Sequence, residues 1–207
     1  VGHVLLYPKS NVPGFEGVPV EVRQPRNMWA DGAEDIDPET GYATIRSNAQ
    51  NRYVPNFSYG KGKIVWNFES VNMPAGTDGF LYLNGDTWHW NGAANGAGWI
   101  QIRIYPQDST TKSSFKLHYD WTAEEFTLEE SMNDIKTIEL DTKVDPEDAT
   151  KVNVTFSING KVYYSGKKHN AFDLDGHKGV IFYSGFSGPF SPECTIVFKS
   201  LDYEVYE

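Results

Sequence analysis

Between Gly98 and Tyr105 the chain alternates without a fault: Ile100, Ile102 and Ile104 fall on one side, Trp99, Gln101, Arg103 and Tyr105 on the other. Successive side chains of an extended strand point to opposite faces, so this period of two predicts a half-buried β-strand. The isoleucines require a second apolar layer to cover them. The opposite row holds aromatic rings, an amide and a guanidinium, groups that suit stacking and hydrogen bonding at a surface better than filling a core.

Comparable runs recur between turn clusters at 63–68, 79–83, 114–121, 151–158, 161–164, 179–183 and 195–198, so the chain reads as all-β. Asn159-Gly160 separates two alternating runs, and a tight turn there needs positive φ at both central residues, which predicts a hairpin over 151–164. Helix is scarce. Thr122-Ala123-Glu124-Glu125 has capping-box spacing and predicts one or two turns before Ile135; Asp145-Pro146-Glu147-Asp148 predicts a single turn begun by an Asp cap and Pro. The first 55 residues, rich in Pro, Asn and acidic groups, are expected to supply an edge strand and long loops. With 207 residues, 39% of them hydrophobic and 14% aromatic, residues 1–207 are expected to form one antiparallel β-sandwich domain.

A net charge of −10 and a pI near 4.9 work against attraction to nucleic acid or anionic lipid, so no nucleic-acid partner is expected. No run approaches the ~20 apolar residues that span a bilayer, so no membrane insertion is expected either. The start, Val1-Gly2-His3, has no basic or hydrophobic leader, and the missing initiator Met reads as processing or trimming. Asn56-Phe57-Ser58 and Asn153-Val154-Thr155 are glycosylation-type sequons, from which a secreted or extracellular location is expected. Cys194 is alone, which excludes an internal disulfide or a thiolate-cluster zinc site and suits a small buried hydrophobe.

If the isoleucines face inward, Trp99, Gln101, Arg103 and Tyr105 line an open face. In the following run Phe115, Leu117, Tyr119 and Trp121 take the core side and leave Lys116, His118 and Asp120 exposed. Flat rings stack on the C–H face of a pyranose, while Gln, Arg, Lys and Asp replace the water that its hydroxyls lose, so this mixed lining matches a saccharide partner. Its competitor is an ordinary solvated sheet face. Trp88 and Trp90 stand beside a Gly/Asn-rich loop, where they either project into a groove or close the core; His89 reads as a surface residue. Asp173 and Asp175, with Glu34, Asp35 and Asp37, offer oxygen ligands at spacings that Ca²⁺ could use, although Asp and Gly in 173–176 also explain a turn without metal. No other cofactor is expected.

From about Tyr59 onward, the strand order, the hairpin of 152–162, the strand of 179–185 and a closing strand near Ser200-Leu201-Asp202-Tyr203 resemble the concanavalin A-like lectin/glucanase superfamily. The resemblance implies a jelly roll of two antiparallel sheets, one convex and one concave, with saccharide on the concave face or its rim, and often a structural calcium. Lectins, binding modules, glycoside hydrolases and polysaccharide lyases share that architecture. The chain departs from the retaining glucanases in lacking their Glu-x-Asp-x-x-Glu arrangement; Glu124, Glu125, Glu129 and Glu130 read as a solvated connector. Gln101, Arg103 and His118, with Tyr105 or Tyr183, resemble the active face of jelly-roll lyases. In those enzymes an Arg/Gln pair neutralises a uronate carboxylate, a His or Tyr takes the α-proton, and a Tyr protonates the leaving oxygen. Three readings follow: a carbohydrate-binding domain first, then a lyase acting by β-elimination on a uronate-containing glycan, then a structural or adhesive protein-binding domain.

Overall fold

A computed structural model describes residues 35–37, 39–40, 42–46, 50–53, 60–73, 80–85, 100–117, 123–169, 180–185 and 194–206. Its strands are β1 (Asp35–Ile36), β2 (Ala43–Arg46), β3 (Gln50–Tyr53), β4 (Lys61–Asn72), β5 (Phe80–Gly85), β6 (Ile100–Ile104) and β7 (Ser113–Leu117). They continue with β8 (Glu124–Phe126), β9 (Thr137–Val144), β10 (Lys151–Ile158), β11 (Lys161–His169), β12 (Val180–Gly185) and β13 (Thr195–Val205). Two antiparallel sheets result: a large one ordered β1-β2-β13-β4-β9-β10-β11 and a small one ordered β3-β12-β5-β6-β7-β8. Strands far apart in sequence lie side by side, β13 between β2 and β4, and β12 between β3 and β5, which makes the sandwich a jelly roll.

The alternation seen in the sequence decides which face each strand buries. Ile102 and Ile104 are fully buried, and Leu81, Leu83, Phe115 and Leu117 join them on the inner face of the small sheet. Ile64, Trp66, Ile138, Leu140, Val154, Phe156 and Phe198 meet them from the large sheet. Phe156 of β10 bridges the layers, stacked on Phe115 of β7 at 4.9 Å between ring centroids and tilted against Phe126 of β8 at 5.4 Å. Polar residues also fall on the inner rows, Thr142 of β9 and Ser113 of β7 among them; the Thr142 hydroxyl donates to Gly62 O at 2.8 Å and accepts from Gly60 N at 2.9 Å, so its burial leaves no orphan.

The hairpin expected from Asn159-Gly160 is present, with φ of 50° and 78° at those residues. Beyond it the ladder shifts, pairing Phe156 with Tyr164 and Ser157 with Val162, so Tyr163 is the extra residue of a bulge. That bulge turns consecutive tyrosines inward. Tyr163 packs on Phe126 at 5.1 Å, and Tyr164 meets Phe115 edge-on at 4.8 Å. A Cβ at residue 166 would lie 2.5 Å from the Tyr164 hydroxyl, so any side chain there would have to displace that ring. Lys168, buried beneath, pairs with Glu124 of β8 and sits 5.1 Å over the Tyr164 ring, tying the edge of one sheet to the edge of the other.

The structure corrects the helical reading of 122–135. Glu124–Phe126 is strand β8, hydrogen-bonded to β7 with Phe126 in the core, and the sole helical piece among the described residues is a 3₁₀ turn at Met132–Asp134 capped by Ser131. Ladder bonds and aromatic burial outweigh a capping box that has no amphipathic helix to start. Glu124 and Glu129 are held in ion pairs with Lys168 and Lys161, Glu125 is exposed, and burial raises the pKa of the half-buried Glu130. Strand β9, in the middle of the large sheet, was not among the expected strands.

Asp145 forms the turn read from 145–148: one carboxylate oxygen accepts Glu147 N at 2.8 Å and Asp148 N at 3.0 Å, the other meets Lys167 of β11 at 2.8 Å. The Lys167 ammonium first, then the Glu147 amide, hold this carboxyl down to about 2. Cys194 is buried, as its apolar character suggests.

Phe156→Ala removes the bridge between the layers and is expected to cost about 3–5 kcal/mol in urea unfolding. Because the folded pKa of Asp145 lies below its unfolded value of ~3.9, its stabilising contribution is complete above that value. It is lost as pH falls toward about 2. Asp145→Asn should therefore flatten the acid limb of a stability–pH curve measured by denaturant titration, and an unchanged limb would remove Asp145 from that role.

Candidate functional site

Strand β6 lies inside the small sheet, between β5 and β7. Burial of Ile102 and Ile104 leaves Gln101 half-buried, Arg103 exposed and Tyr105 half-buried on the outer face. Backbone register then sets their neighbours. Arg103 stands opposite Tyr82 of β5 and Ser114 of β7; Gln101 stands opposite Asn84 and Lys116; Tyr183 of β12 is the register partner of Tyr82. Residues separated by some 100 positions of chain thus stand side by side in the backbone ladder of one sheet.

At the β6–β7 end, the Tyr105 and Phe80 rings lie 4.9 Å apart and tilted by 35°. The Arg103 guanidinium carbon sits 5.6 Å from the centre of the same Phe80 ring, which steadies a long side chain that would otherwise sample many rotamers. The Tyr105 backbone is held from behind, its N–H donating to the hydroxyl of buried Ser113 at 2.9 Å. Ring pair, guanidinium, amide and the Lys116 ammonium so form a contiguous surface: rings for an apolar ligand face, the rest for hydroxyl or carboxylate oxygens. Two cations stand here in a chain of net charge −10.

Phe80 was not singled out in the sequence. The signal that could have found it is the alternation of Phe80 with Leu81 and Leu83: with those two buried, Phe80 falls on the outer face. Gln101, Arg103, Tyr105 and Lys116 are brought together, whereas Trp88, Trp90, Trp99, His118 and Asp120 lie outside the described residues. So do Glu34, Asp173 and Asp175 of the candidate calcium set. The Asp37 carboxylate accepts the backbone N–H groups of Glu39 at 2.8 Å and Thr40 at 3.3 Å, and these bonds lower its pKa, so a turn accounts for it. Among the described residues, no three His, Cys, Asp or Glu side chains assemble a metal site.

No protein-family model matches the chain, and no curated protein matches it. Solved structures do. The chain is similar to a structure described under cell entry of botulinum neurotoxin type C and its interaction with two ganglioside molecules, with TM-score 0.55 and 14% identity over 85% of this chain and 42% of that one. It is also similar to the Bacillus licheniformis beta-glucanase, with TM-score 0.50 and 10% identity over 100% of this chain and 94% of the other. An alginate lyase in complex with alginate trisaccharide gives TM-score 0.50 and 15% identity over 86% and 87%. The chain spans less than half of the neurotoxin structure and about nine-tenths of the other two. The shared feature is the fold, a jelly roll of two antiparallel sheets.

Ser113→Ala withdraws the acceptor of the Tyr105 amide and is expected to cost about 1 kcal/mol of thermal stability while loosening the ring pair. A near-ultraviolet circular dichroism spectrum identical to the parent's would show that the rings do not depend on this bond.

Proposed function

We propose that the chain is a secreted domain that binds an oligosaccharide or polysaccharide on the outer face of the small sheet. The observation that carries this reading is the continuity of the Tyr105–Phe80 ring pair with Arg103, beside Gln101 and Lys116. A pyranose has an apolar C–H face and a rim of hydroxyls, and it keeps its hydrogen bonds on leaving water only where rings and polar groups alternate at this scale. The fold supports the reading, since two structures similar to this one are described with a ganglioside or an alginate trisaccharide as binding partner.

A lyase acting on a uronate-containing glycan is the second reading, favoured by one observation: Arg103 follows Gln101 on the same face of β6 and Lys116 stands opposite it, so two cations adjoin an amide on a face whose β8 edge carries Glu125. There Arg103 and Gln101 would neutralise the carboxylate, while His118 or a tyrosine would take the α-proton.

One experiment separates the readings: a polysaccharide panel followed for unsaturated products by absorbance and for retention on insoluble glycan. Arg103→Ala and Tyr105→Ala are expected to weaken retention by about 1–3 kcal/mol each, on the scale of aromatic stacking. Thr195→Ala, on the outer face of the large sheet, should leave it unchanged. Retention without products supports binding; new absorbance that His118→Ala abolishes supports the lyase; neither signal with any glycan overturns both.

A further inference from the structure

The Asn159 side chain does more than permit its turn. Its Oδ1 accepts the backbone N–H groups of Lys136 at 2.7 Å and Thr137 at 3.0 Å, and its Nδ2 donates to the Asp134 carbonyl at 2.8 Å. The Asn159 backbone N–H adds a bond to Thr137 O at 2.9 Å. Segment 134–137 is itself tied to β4, through Phe68 N to Lys136 O at 2.8 Å and the Lys136 ammonium to Glu69 O at 2.7 Å. One exposed carboxamide therefore docks the tip of the β10–β11 hairpin onto the entry to β9.

The next residue is Gly160, where an added Cβ would meet nothing within 4 Å. An Asn followed by Gly is the pair most prone to intramolecular succinimide formation, because glycine offers the least hindered amide nitrogen. We propose that Asn159 is a modification site gated by this latch: the docked carboxamide is protected, and each opening of the tip exposes it to irreversible deamidation. In the reaction the Gly160 nitrogen bonds to Asn159 Cγ, the Cγ–Nδ2 bond breaks, and ammonia leaves with the Gly160 amide proton. Water then opens the ring at either carbonyl to give aspartate or isoaspartate. No oxidant or cofactor enters.

Two features of the docked state oppose that step. Both polar atoms of the carboxamide are engaged with segment 134–137, so Cγ cannot turn toward Gly160 N without breaking those bonds. The turn also fixes φ at 50° and 78°, and cyclisation must unmake it. The product cannot close the latch again as before. An aspartate has no N–H to offer the Asp134 carbonyl and sets a charged oxygen against it, while isoaspartate adds a backbone atom to a two-residue turn.

Site-resolved peptide mapping by mass spectrometry tests this, with the other Asn-Gly pairs at 84–85, 91–92 and 95–96 mapped in the same digest. In the native protein at mildly alkaline pH, Asn159 is expected to deamidate more than about tenfold slower than in denaturant, because reaction tracks the open fraction. Equal rates in the two conditions overturn the gating. Asn159→Asp is expected to lower the melting temperature at neutral pH and to recover part of the loss in acid, where a protonated carboxyl again donates to Asp134 O. A variant as stable as the parent at neutral pH overturns the latch. Should it fail to fold, the native and denatured rates of the parent still decide the matter.

Discussion

The structure depends on two apolar rows that meet across the sandwich. Ile102, Ile104, Phe115 and Leu117 from one sheet cover Trp66, Leu140, Val154 and Phe156 from the other, and Phe156 touches the facing layer through both Phe115 and Phe126. Everything on the outside follows from that inside. Once a strand commits its even or odd positions to the core, the opposite parity has to face out, and a one-residue slip would exchange the whole set. The patch of Gln101, Arg103 and Tyr105 is thus held in place by the isoleucines between them. Its precision is that of a packed core, although its members are half or fully exposed.

Closure of the sandwich at the β8 and β11 edges uses different physics. Edge strands carry unpaired backbone groups and invite other chains to pair. Here β11 holds a bulge at Tyr163, three lysines and a ring of ion pairs, Lys161 to Glu129, Lys167 to Asp145 and Lys168 to Glu124. The ammonium groups of Lys161 and Lys167 are exposed enough for solvent to weaken their pairs, so much of their value lies in register and in discouraging edge pairing, although the buried Asp145 carboxylate still adds to stability above its pKa. Lys168 is the exception: with its ammonium buried between Tyr164 and Glu124, removing the glutamate would strand a charge.

The face proposed to bind saccharide illustrates how a jelly roll separates scaffold from site. At identities of 10–15%, this chain and its structural neighbours share a sandwich, while what each does resides in the side chains displayed on it. In this chain the display combines a tilted ring pair with cations on a protein of acidic net charge. On the proposed reading the ring pair would take the flat apolar face of a sugar, and the cations would face its hydroxyl or carboxylate oxygens.

Much of this was legible in local patterns. The faultless alternation of 98–105 identified both faces of β6, Asn159-Gly160 identified its hairpin, and the lone Cys194 its burial, because each depends on neighbours in sequence alone. Strand β9 was equally periodic, yet Glu139, Asp141 and Lys143 interleave Ile138, Leu140 and a buried Thr142, so its inner row carries a hydroxyl satisfied by Gly62 of β4 and by Gly60 just before it. β8 carried a helical signal that pairing with β7 overrode. Phe80 needed a ring 25 residues away to become part of a site. Periodicity by itself determined that strands would form and which side of each would be apolar, since both follow from backbone geometry. Which strands became neighbours, and hence which outward groups came together, was decided by tertiary pairing, because hydrogen bonds between distant strands leave no mark on the spacing within either one.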